Sequence, residues 1–485
     1  MRRAALSAGC LLLLAGPTVL AFFTGGYFDG PRAWAGFGAW LVVAGGLLTA
    51  PRRLPRAGAS WLALGGLAAF AAITLLSALW APVVGTAYHD GQIVVLYLGA
   101  LLAGALVLGG PARRWVEPAL ATGILIVIGY GISERLLPGL LHFARSVSAQ
   151  GRLEQPLTYW NAMGELAAIG FVLCARIAGD AGRQAWLRGA AIAAGAPLGM
   201  GLYISFSRGA LFACAAGLVT LVVVAPRREQ LRALLLTLLT GALASLVAAP
   251  FDGVTGLVGS LATRERQGAI VLVALVVIAL AAVLAQRLLD RRGSDAILAL
   301  PRRAPLIAAT VICAGLALAI VLGAKESSAT SAPLPGGANR LVSLQSNRYA
   351  YWDVALRAFA TEPLRGVGAG GWSVYWLRWR KINEYAQDAH SLPLQTLAEL
   401  GLIGFAALGA FLAGVVLVAR RALRVSPVAA AGPIAGFVAY IAHSPLDWDW
   451  EMPAVTLVAI VLAGALIAMV ESASTAPRQS AAPPA

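Results

Sequence analysis

The chain has 485 residues, of which 59% are hydrophobic and only 12% charged, and its mean hydropathy is +0.78. Soluble domains carry about one-quarter charged residues, so this composition excludes a soluble globular protein. The net charge of +15 does not indicate nucleic-acid binding, because the basic residues divide unequally between the two sides of a membrane.

Apolar runs of about 18 to 25 residues recur along the chain, and each can cross about 30 Å of hydrocarbon as an α-helix. Arg, Pro and Gly separate them. The pattern predicts an all-α polytopic membrane protein with about fourteen transmembrane helices. The predicted spans are 4–23, 33–50, 60–81, 91–110, 115–134, 156–175, 189–206, 208–225, 232–250, 267–286, 305–323, 392–419, 427–443 and 453–470.

The spans predict four parts. Residues 1–323 form a transmembrane domain with helices 1–11, and 324–391 form an insert with two amphipathic helices after a Ser/Pro/Gly linker. Residues 392–471 hold helices 12–14, and 472–485 form a disordered cytoplasmic tail.

Basic residues near helix ends stay on the cytoplasmic side, which allows a test of orientation. With the amino terminus inside, 22 of the 37 basic residues but six of the 22 acidic residues fall on the inner side. The inner side therefore carries +16 and the outer side −1. This asymmetry predicts that both termini are cytoplasmic and that the insert 324–391 lies outside.

Apolar residues in the insert repeat with helical spacing. Such stripes suit helices that lie at the membrane interface, and packing onto the transmembrane bundle explains them equally well. The stripes are Trp352, Ala355, Leu356 and Phe359 in one helix and Trp372, Tyr375, Trp376 and Trp379 in the other. The intervening glycines, 366–371, match GxGxxG, but no strand precedes them, so we reject dinucleotide binding.

Several blocks carry a resemblance to a known family. They are Arg152–Asn161, Phe206–Gly209, Asn347-Arg348 with Trp352, Pro363–Gly368, Asp388–Gln395, Glu399–Gly404 and His443–Asp447. In this order, over roughly residues 80–470, they resemble the O-antigen ligase and O-antigen polymerase family.

The resemblance implies a GT-C-like helical fold in a bacterial cytoplasmic (inner) membrane. It implies a metal-independent, inverting glycosyltransferase without a cofactor, which moves a glycan from an undecaprenyl (polyprenyl) diphosphate carrier to a glycan, lipid or protein acceptor on the outer face. Membrane lipids are the other expected partners, and nucleic acid is not one. A polysaccharide polymerase uses the same donor, so ligase and polymerase stay open. A transporter of the same lipid-linked substrate should show internal repeats and helices broken near mid-membrane, and we see neither in the sequence.

Three arginines are candidates for donor diphosphate binding, because Arg stays protonated and offers paired donors to phosphate oxygens. Arg208 stands at the outer start of a predicted helix, Arg348 one turn before Trp352, and Arg152 before a helix that we expect to begin near Pro156. Snorkelling of Arg208 and simple surface exposure of Arg348 and Arg152 are the competing interpretations.

His390 is the candidate catalytic base, because imidazole accepts a proton near neutral pH and the residue sits where the insert re-enters the membrane. Capping of the following helix is the alternative. Asn161, Glu399, His443 and Asp447 are candidate supporting residues, with interhelical hydrogen bonding as the alternative for the first two. Asp447-Trp-Asp449 has the DxD spacing, yet we expect no metal site.

Overall fold

The computed structural model describes residues 2–49, 54–291, 296–327, 337–343 and 345–473. These residues form α-helices and short 3-10 turns, and they contain no β-strand. The α-helices are α1 (Arg2–Ala21), α2 (Asp29–Thr49), α3 (Gly58–Leu76), α4 (Val84–Val107), α5 (Arg113–Leu136), α6 (Trp160–Ala178), α7 (Ala185–Ile204), α8 (Arg208–Val224), α9 (Arg228–Ala248), α10 (Asp252–Thr255), α11 (Leu261–Asp290), α12 (Ala304–Glu326), α13 (Asn339–Val342), α14 (Arg348–Thr361), α15 (Trp372–Trp379), α16 (Leu392–Val425), α17 (Pro427–His443) and α18 (Pro453–Ala473).

Among the described residues, eleven helices are long and apolar enough to cross a membrane. The prediction of an all-α polytopic membrane protein is thus confirmed. Each of the fourteen predicted spans coincides with a helix, but α8 and α17 have 17 residues each and α2 begins with the charged residues Asp29 and Arg32. The total of fourteen crossings therefore stays a prediction.

Two helices form the centre of the bundle. The apolar windows of α6 and α18 are completely buried within the protein, whereas only 6% of the window of α12 is. A helix that is apolar on every side is buried among other helices or faces lipid, and both situations occur here. The first turn of α6 and the 3-10 turn Asp449–Glu451 before α18 therefore place polar groups near the centre of one end of the bundle.

The arginine-rich connections meet at the other end of the bundle. Arg183, between α6 and α7, donates to Glu117 at the start of α5 at 2.6 Å. Arg188 binds Asp290 at the end of α11 at 2.8 Å. Glu471 of α18 accepts from the backbone N–H groups of residues 56 and 57, before α3, at 2.8 and 3.0 Å. Every second connection between helices thus lies at the same end of the bundle, which agrees with the unequal distribution of basic residues. That this end faces the cytoplasm stays a prediction.

The insert has its own small hydrophobic core. Trp372 and Trp376 are fully buried and stack at 5.5 Å between ring centroids, with Tyr351 of α14 against them. These two tryptophans therefore pack inside the core of the insert and do not form an exposed interfacial stripe, whereas Leu356 is 51% exposed. The predicted linker lies almost wholly in 328–336, outside the described residues, as do residues 474–485 of the predicted tail.

The glycine turn between α14 and α15 packs against a break in α16. Gly401 has φ 62° and ψ −161°, so α16 is not continuous. The break was not predicted from the sequence, and it lies near the start of α16. A Cβ on Gly366 (φ 70°) would lie 2.3 Å from the carbonyl carbon of Glu399. The glycines therefore allow two backbone segments to touch, which gives the GxGxxG pattern a structural role.

Candidate active site

A cavity of about 810 Å³ lies at the insert end of the bundle. Its walls come from the segment before α6, the start of α8, the insert and the loop between α17 and α18. Five residues predicted from the sequence line it: Arg152, Asn161, Arg208, Arg348 and His390. Residues more than two hundred positions apart in the sequence thus meet at one site.

Two guanidinium groups in the cavity point at the same backbone oxygen. Arg208 donates to the carbonyl of Gln345 at 3.3 Å, and Arg340 of α13 donates to it at 2.6 Å. Burial, together with the charges of Arg208, Arg348 and Arg152, lowers the pKa of Arg340 to about 9. Like charges held together in this way create an attractive site for an anion.

Arg152 is fixed by its own turn. Its Nε donates to the carbonyl of Ala149 and its Nη2 to that of Ser148, both at 2.8 Å. The guanidinium lies 3.7 Å from the ring centroid of Trp160, a cation–π contact, and burial lowers its pKa to about 10. The helix that follows begins at Trp160, so the expected start near Pro156 was wrong.

Arg348 is tied to the loop between α17 and α18. Its Nη2 binds Oδ2 of Asp447, and Oδ1 of Asp447 accepts from the Tyr159 hydroxyl at 2.7 Å. Asn161 Nδ2 donates to that hydroxyl at 2.8 Å. Burial opposes ionisation of both partners, but the ion pair outweighs it, so the pKa of Asp447 is lowered and that of Arg348 raised. Asp447 therefore aims Arg348 into the cavity.

His390 faces the arginines with one ring nitrogen already engaged. Its Nδ1 lies 2.9 Å from the carbonyl oxygen of Asp388, which can only accept, so Nδ1 carries the proton and Nε2 is the basic atom. Burial, reinforced by Arg348, lowers the pKa of His390 below 6.5 despite the opposing charge of Asp447. The helix α16 begins with Ser391 at its N-cap and Leu392 donating to Ser444, so capping by His390 is not observed.

Backbone strain is concentrated around this cavity. Six non-glycine residues in the described part of the chain have positive φ. Four of them line the cavity, and such conformations persist where the surrounding structure enforces them, often at functional sites. The four are Gln150 (φ 48°), Thr158 (φ 63°), Phe206 (φ 48°) and His390 (φ 53°).

His443 lies behind the cavity and does not line it. Its Nδ1 binds Asp449, and it is 4.0 Å from Glu165, which is fully buried. The two acids of the DxD spacing therefore have different partners, Asp447 an arginine and Asp449 a histidine. Within the described ranges, no group of three His, Cys, Asp or Glu residues could hold a metal.

Glu399 is remote from the arginine cavity. It accepts from the backbone N–H of Trp372 at 3.2 Å and lines a separate, very small cavity with Asp90 and Glu451. Its observed role is to join the glycine turn to α16.

Sequence reasoning missed two members of the site. Arg340 belongs to no recognisable block, and the only signal for it is a basic residue between the linker and Arg348. Tyr159 lies inside the block Arg152–Asn161, where its position next to Asn161 could have pointed to it. Both matter because Arg340 adds a fourth cation and Tyr159 links Asn161 to Asp447.

Residues 251–409 match the family model described as O-antigen ligase. This segment resembles the O-antigen ligase family. The match covers about a third of the chain and includes Arg340, Arg348 and His390, whereas Arg152, Arg208 and Asp447 lie outside it. No curated protein gives a match to the chain. The O-antigen ligase family indicates a ligase-type membrane function with a lipid-linked glycan donor and a glycan acceptor.

Proposed function

We propose that this protein is a glycosyltransferase that moves a glycan from an undecaprenyl (polyprenyl) diphosphate carrier to an acceptor on the outer face of the bacterial cytoplasmic membrane. One observation carries the proposal: four arginines and His390 line a single cavity. The match of residues 251–409 to the O-antigen ligase family model supports the same donor class.

The arginines are assigned to the donor diphosphate. A diphosphate ester carries about two negative charges, and several arginines can hold it through charge-assisted hydrogen bonds. Arg152, Arg208, Arg340 and Arg348 reach the cavity from four different segments, so they can contact both phosphates. Negative charge increases on the diphosphate as it leaves, and fixed cations stabilise that change in the transition state.

His390 is assigned to the acceptor. Nε2 takes the proton of an acceptor hydroxyl as the hydroxyl oxygen forms a bond to the anomeric carbon. The bond from that carbon to the diphosphate oxygen breaks, and the electron pair leaves with polyprenyl diphosphate. Attack from the face opposite the leaving group inverts the anomeric centre. The step needs no metal, and transfer should accordingly survive a chelator.

A polysaccharide polymerase is the alternative within the same chemistry. Its acceptor would itself be a growing, carrier-linked glycan, so its product would be a ladder of increasing length. A transporter of the lipid-linked donor is the second alternative, and the break at Gly401 is the one feature that favours it. The break lies nine residues after the start of α16, near the end of the bundle and away from its middle.

The proposal is tested by reconstituting the purified protein with a polyprenyl diphosphate-linked glycan and an acceptor. A new glycosidic product and free polyprenyl diphosphate are expected. Arg208→Ala and Arg340→Ala should remove most of the product, whereas Arg378→Ala, an exposed arginine of α15 outside the cavity, should keep it. Movement of intact donor across the membrane without a product would favour the transporter.

A further inference from the structure

A second cavity, of about 550 Å³, lies at the opposite, arginine-rich end of the bundle. The helix α6 connects the two sites, because Asn161 in its first turn lines the first cavity and Arg176 in its last turn lines the second. Fifteen residues of α-helix separate them by roughly 22 Å. The second cavity therefore plays no direct part in the chemistry proposed above.

Two acids and two arginines form a closed ionic ring in its wall. Arg183 donates to Glu117 at 2.6 Å and to Asp180 at 3.3 Å, and Arg176 donates to Asp180 at 3.1 Å. Arg176 and Glu117 are 2% and 4% exposed. A Cβ on Gly432 of α17 would lie 2.2 Å from Glu117, so glycine is needed to let the helix approach the ring. The ring is neutral as a whole and serves as a rigid base.

Arg113 and Arg114 add two positive charges beside this ring. No ion pair within the described ranges involves either guanidinium, and Arg114 lies 5.4 Å from the ring centroid of Trp115. Both stand in the first turn of α5, where the positive end of the helix dipole makes a cation unfavourable. In addition, the fully buried Nε of Arg176 makes no hydrogen bond within the described part of the chain, and a carboxylate oxygen of Glu117 lies 3.9 Å from it. A bound anion would stabilise the guanidinium groups of Arg113 and Arg114.

The rest of the wall of the second cavity is apolar, which favours an anion that also carries an apolar group. Leu187, Pro433, Leu466 and Met469 line it, and Trp186, 60% exposed, stands beside it. Exposed tryptophans are common where a protein meets the lipid headgroups. A free inorganic anion would contact only the arginines, whereas an amphiphile can contact the arginines with its charged group and the apolar wall with its hydrocarbon.

We infer that the second cavity binds the phosphate headgroup of an anionic phospholipid. Arg113 and Arg114 contact the phosphate, the ionic ring holds Arg176 against it, and the apolar wall receives the beginning of the acyl chains. Basic pockets between transmembrane helices are suited to such headgroups. The inference is independent of the proposed glycan transfer.

The test measures phosphatidylglycerol binding to the purified full-length protein by native mass spectrometry, with phosphatidylcholine as the neutral lipid. Arg113→Ala/Arg114→Ala should weaken phosphatidylglycerol binding about 30-fold, at about 1 kcal/mol for each arginine. Arg420→Ala/Arg421→Ala removes two exposed charges at the same end, outside the cavity, and should leave the affinity unchanged.

Equal affinity in the two double variants would overturn the inference. Binding of inorganic phosphate in place of the lipid, with the same dependence on Arg113 and Arg114, would overturn the lipid assignment. Thermal unfolding and gel filtration in detergent, compared with the parent protein, serve as the check that the variant is folded. If Arg113→Ala/Arg114→Ala fails that check, Arg113→Gln/Arg114→Gln replaces it, because glutamine keeps the length and polarity of the side chain without its charge.

Discussion

The arginines of the first cavity are ordered by bonds that the protein makes itself. Arg152 donates to Ala149 and Ser148, and Arg208 donates to Gln345. Arg348 is held by Asp447. Side chains that are already fixed lose little conformational entropy when a ligand binds, so preorganisation favours donor affinity. At the residue scale, backbone carbonyls and one buried carboxylate therefore hold the arginines of the site in position.

Replacement of His390 tests the base role. His390→Ala should lower the rate of transfer by about 10² to 10⁴ while the donor still binds. In the parent protein the lowered pKa of His390 favours the deprotonated Nε2 at neutral pH, so the rate should decline at a lower pH than it would with an ordinary histidine as the base. Rate profiles of both proteins on a purified donor check this. A full rate in His390→Ala would refute the assignment, and loss of donor binding would move His390 into the diphosphate site.

Replacement of the arginines tests the donor site. Arg208→Ala and Arg348→Ala should weaken polyprenyl diphosphate binding about 10- to 100-fold, because a hydrogen bond to a charged group is worth about 1.5–3 kcal/mol. Lysine at either position keeps the charge but loses the paired donors, so its effect should be smaller. Titration with polyprenyl diphosphate measures the affinities, and unchanged binding in both alanine variants would contradict the prediction.

Arg348→Ala needs a separate control, since it leaves the Asp447 carboxylate buried without its cation. An uncompensated buried charge costs about 3–5 kcal/mol. Arg348→Ala/Asp447→Asn removes that charge and should recover thermal stability, because the asparagine oxygen still accepts from Tyr159. The double variant should remain as weak in donor binding as Arg348→Ala. Recovery of donor binding would show that stability alone explains the single variant.

At the scale of elements, the break in α16 positions the end of the insert. Gly366 donates to Glu362, and Val367 and Gly368 donate to the carbonyls of Ala398 and Glu399 at 2.9 and 2.8 Å. These bonds hold the glycine turn to the first part of α16, which follows directly after His390. Next to His390 itself, Nδ1 bonds the carbonyl of Asp388 and the N–H of Leu392 donates to Ser444, so the surrounding structure enforces the strained conformation of His390.

Gly401→Ala tests that contact. The conformation at Gly401 is almost restricted to glycine, and a Cβ there would lie 2.4 Å from the carbonyl oxygen of Leu364. The substitution should therefore destabilise the protein by about 1–3 kcal/mol or more. Gly409→Ala, on the same helix with open space around it, should leave stability unchanged or raise it slightly. Thermal unfolding of the two variants in detergent is the measurement, and equal melting temperatures would contradict the prediction.

At the scale of the whole molecule, the candidate active site and the arginine-rich connections lie at opposite ends of the helix bundle. The cavity with His390 lies at the insert end, and the connections that carry Arg183, Arg188 and Arg228 meet at the other. Positive charge near helix ends favours retention in the cytoplasm, so this separation predicts an outward-facing first cavity. A lipid-linked donor would then be used after its transfer to the outer leaflet.

Cysteine labelling tests the orientation. Val147, which is 94% exposed beside the first cavity, is a suitable position for the label. Val147→Cys should react with an impermeant thiol reagent in intact cells, because the insert end is expected outside. Arg302→Cys, at the arginine-rich end, should react only after permeabilisation, with the parent protein as the control for its native cysteines. The reverse pattern would invert the topology and contradict the placement of the active site.

The sequence by itself determined the class of the protein, the positions of its helices and most of its site residues. Length and hydropathy of each segment decide whether it becomes a membrane helix, and Arg152, Arg208, Arg348 and His390 stood in recognisable blocks. These properties are local, so they can be read without knowing which helices touch.

Only the tertiary structure decided how those residues are held and which others join them. Arg340 lines the cavity because α13 lies beside the start of α8. Glu399 lies outside the cavity, where it accepts a hydrogen bond from Trp372 after the glycine turn. Asp447 acquired its role from Arg348, 99 positions away. Such contacts depend on helix packing across long sequence separations, where side-chain fit and the pairing of buried charges outweigh any local pattern.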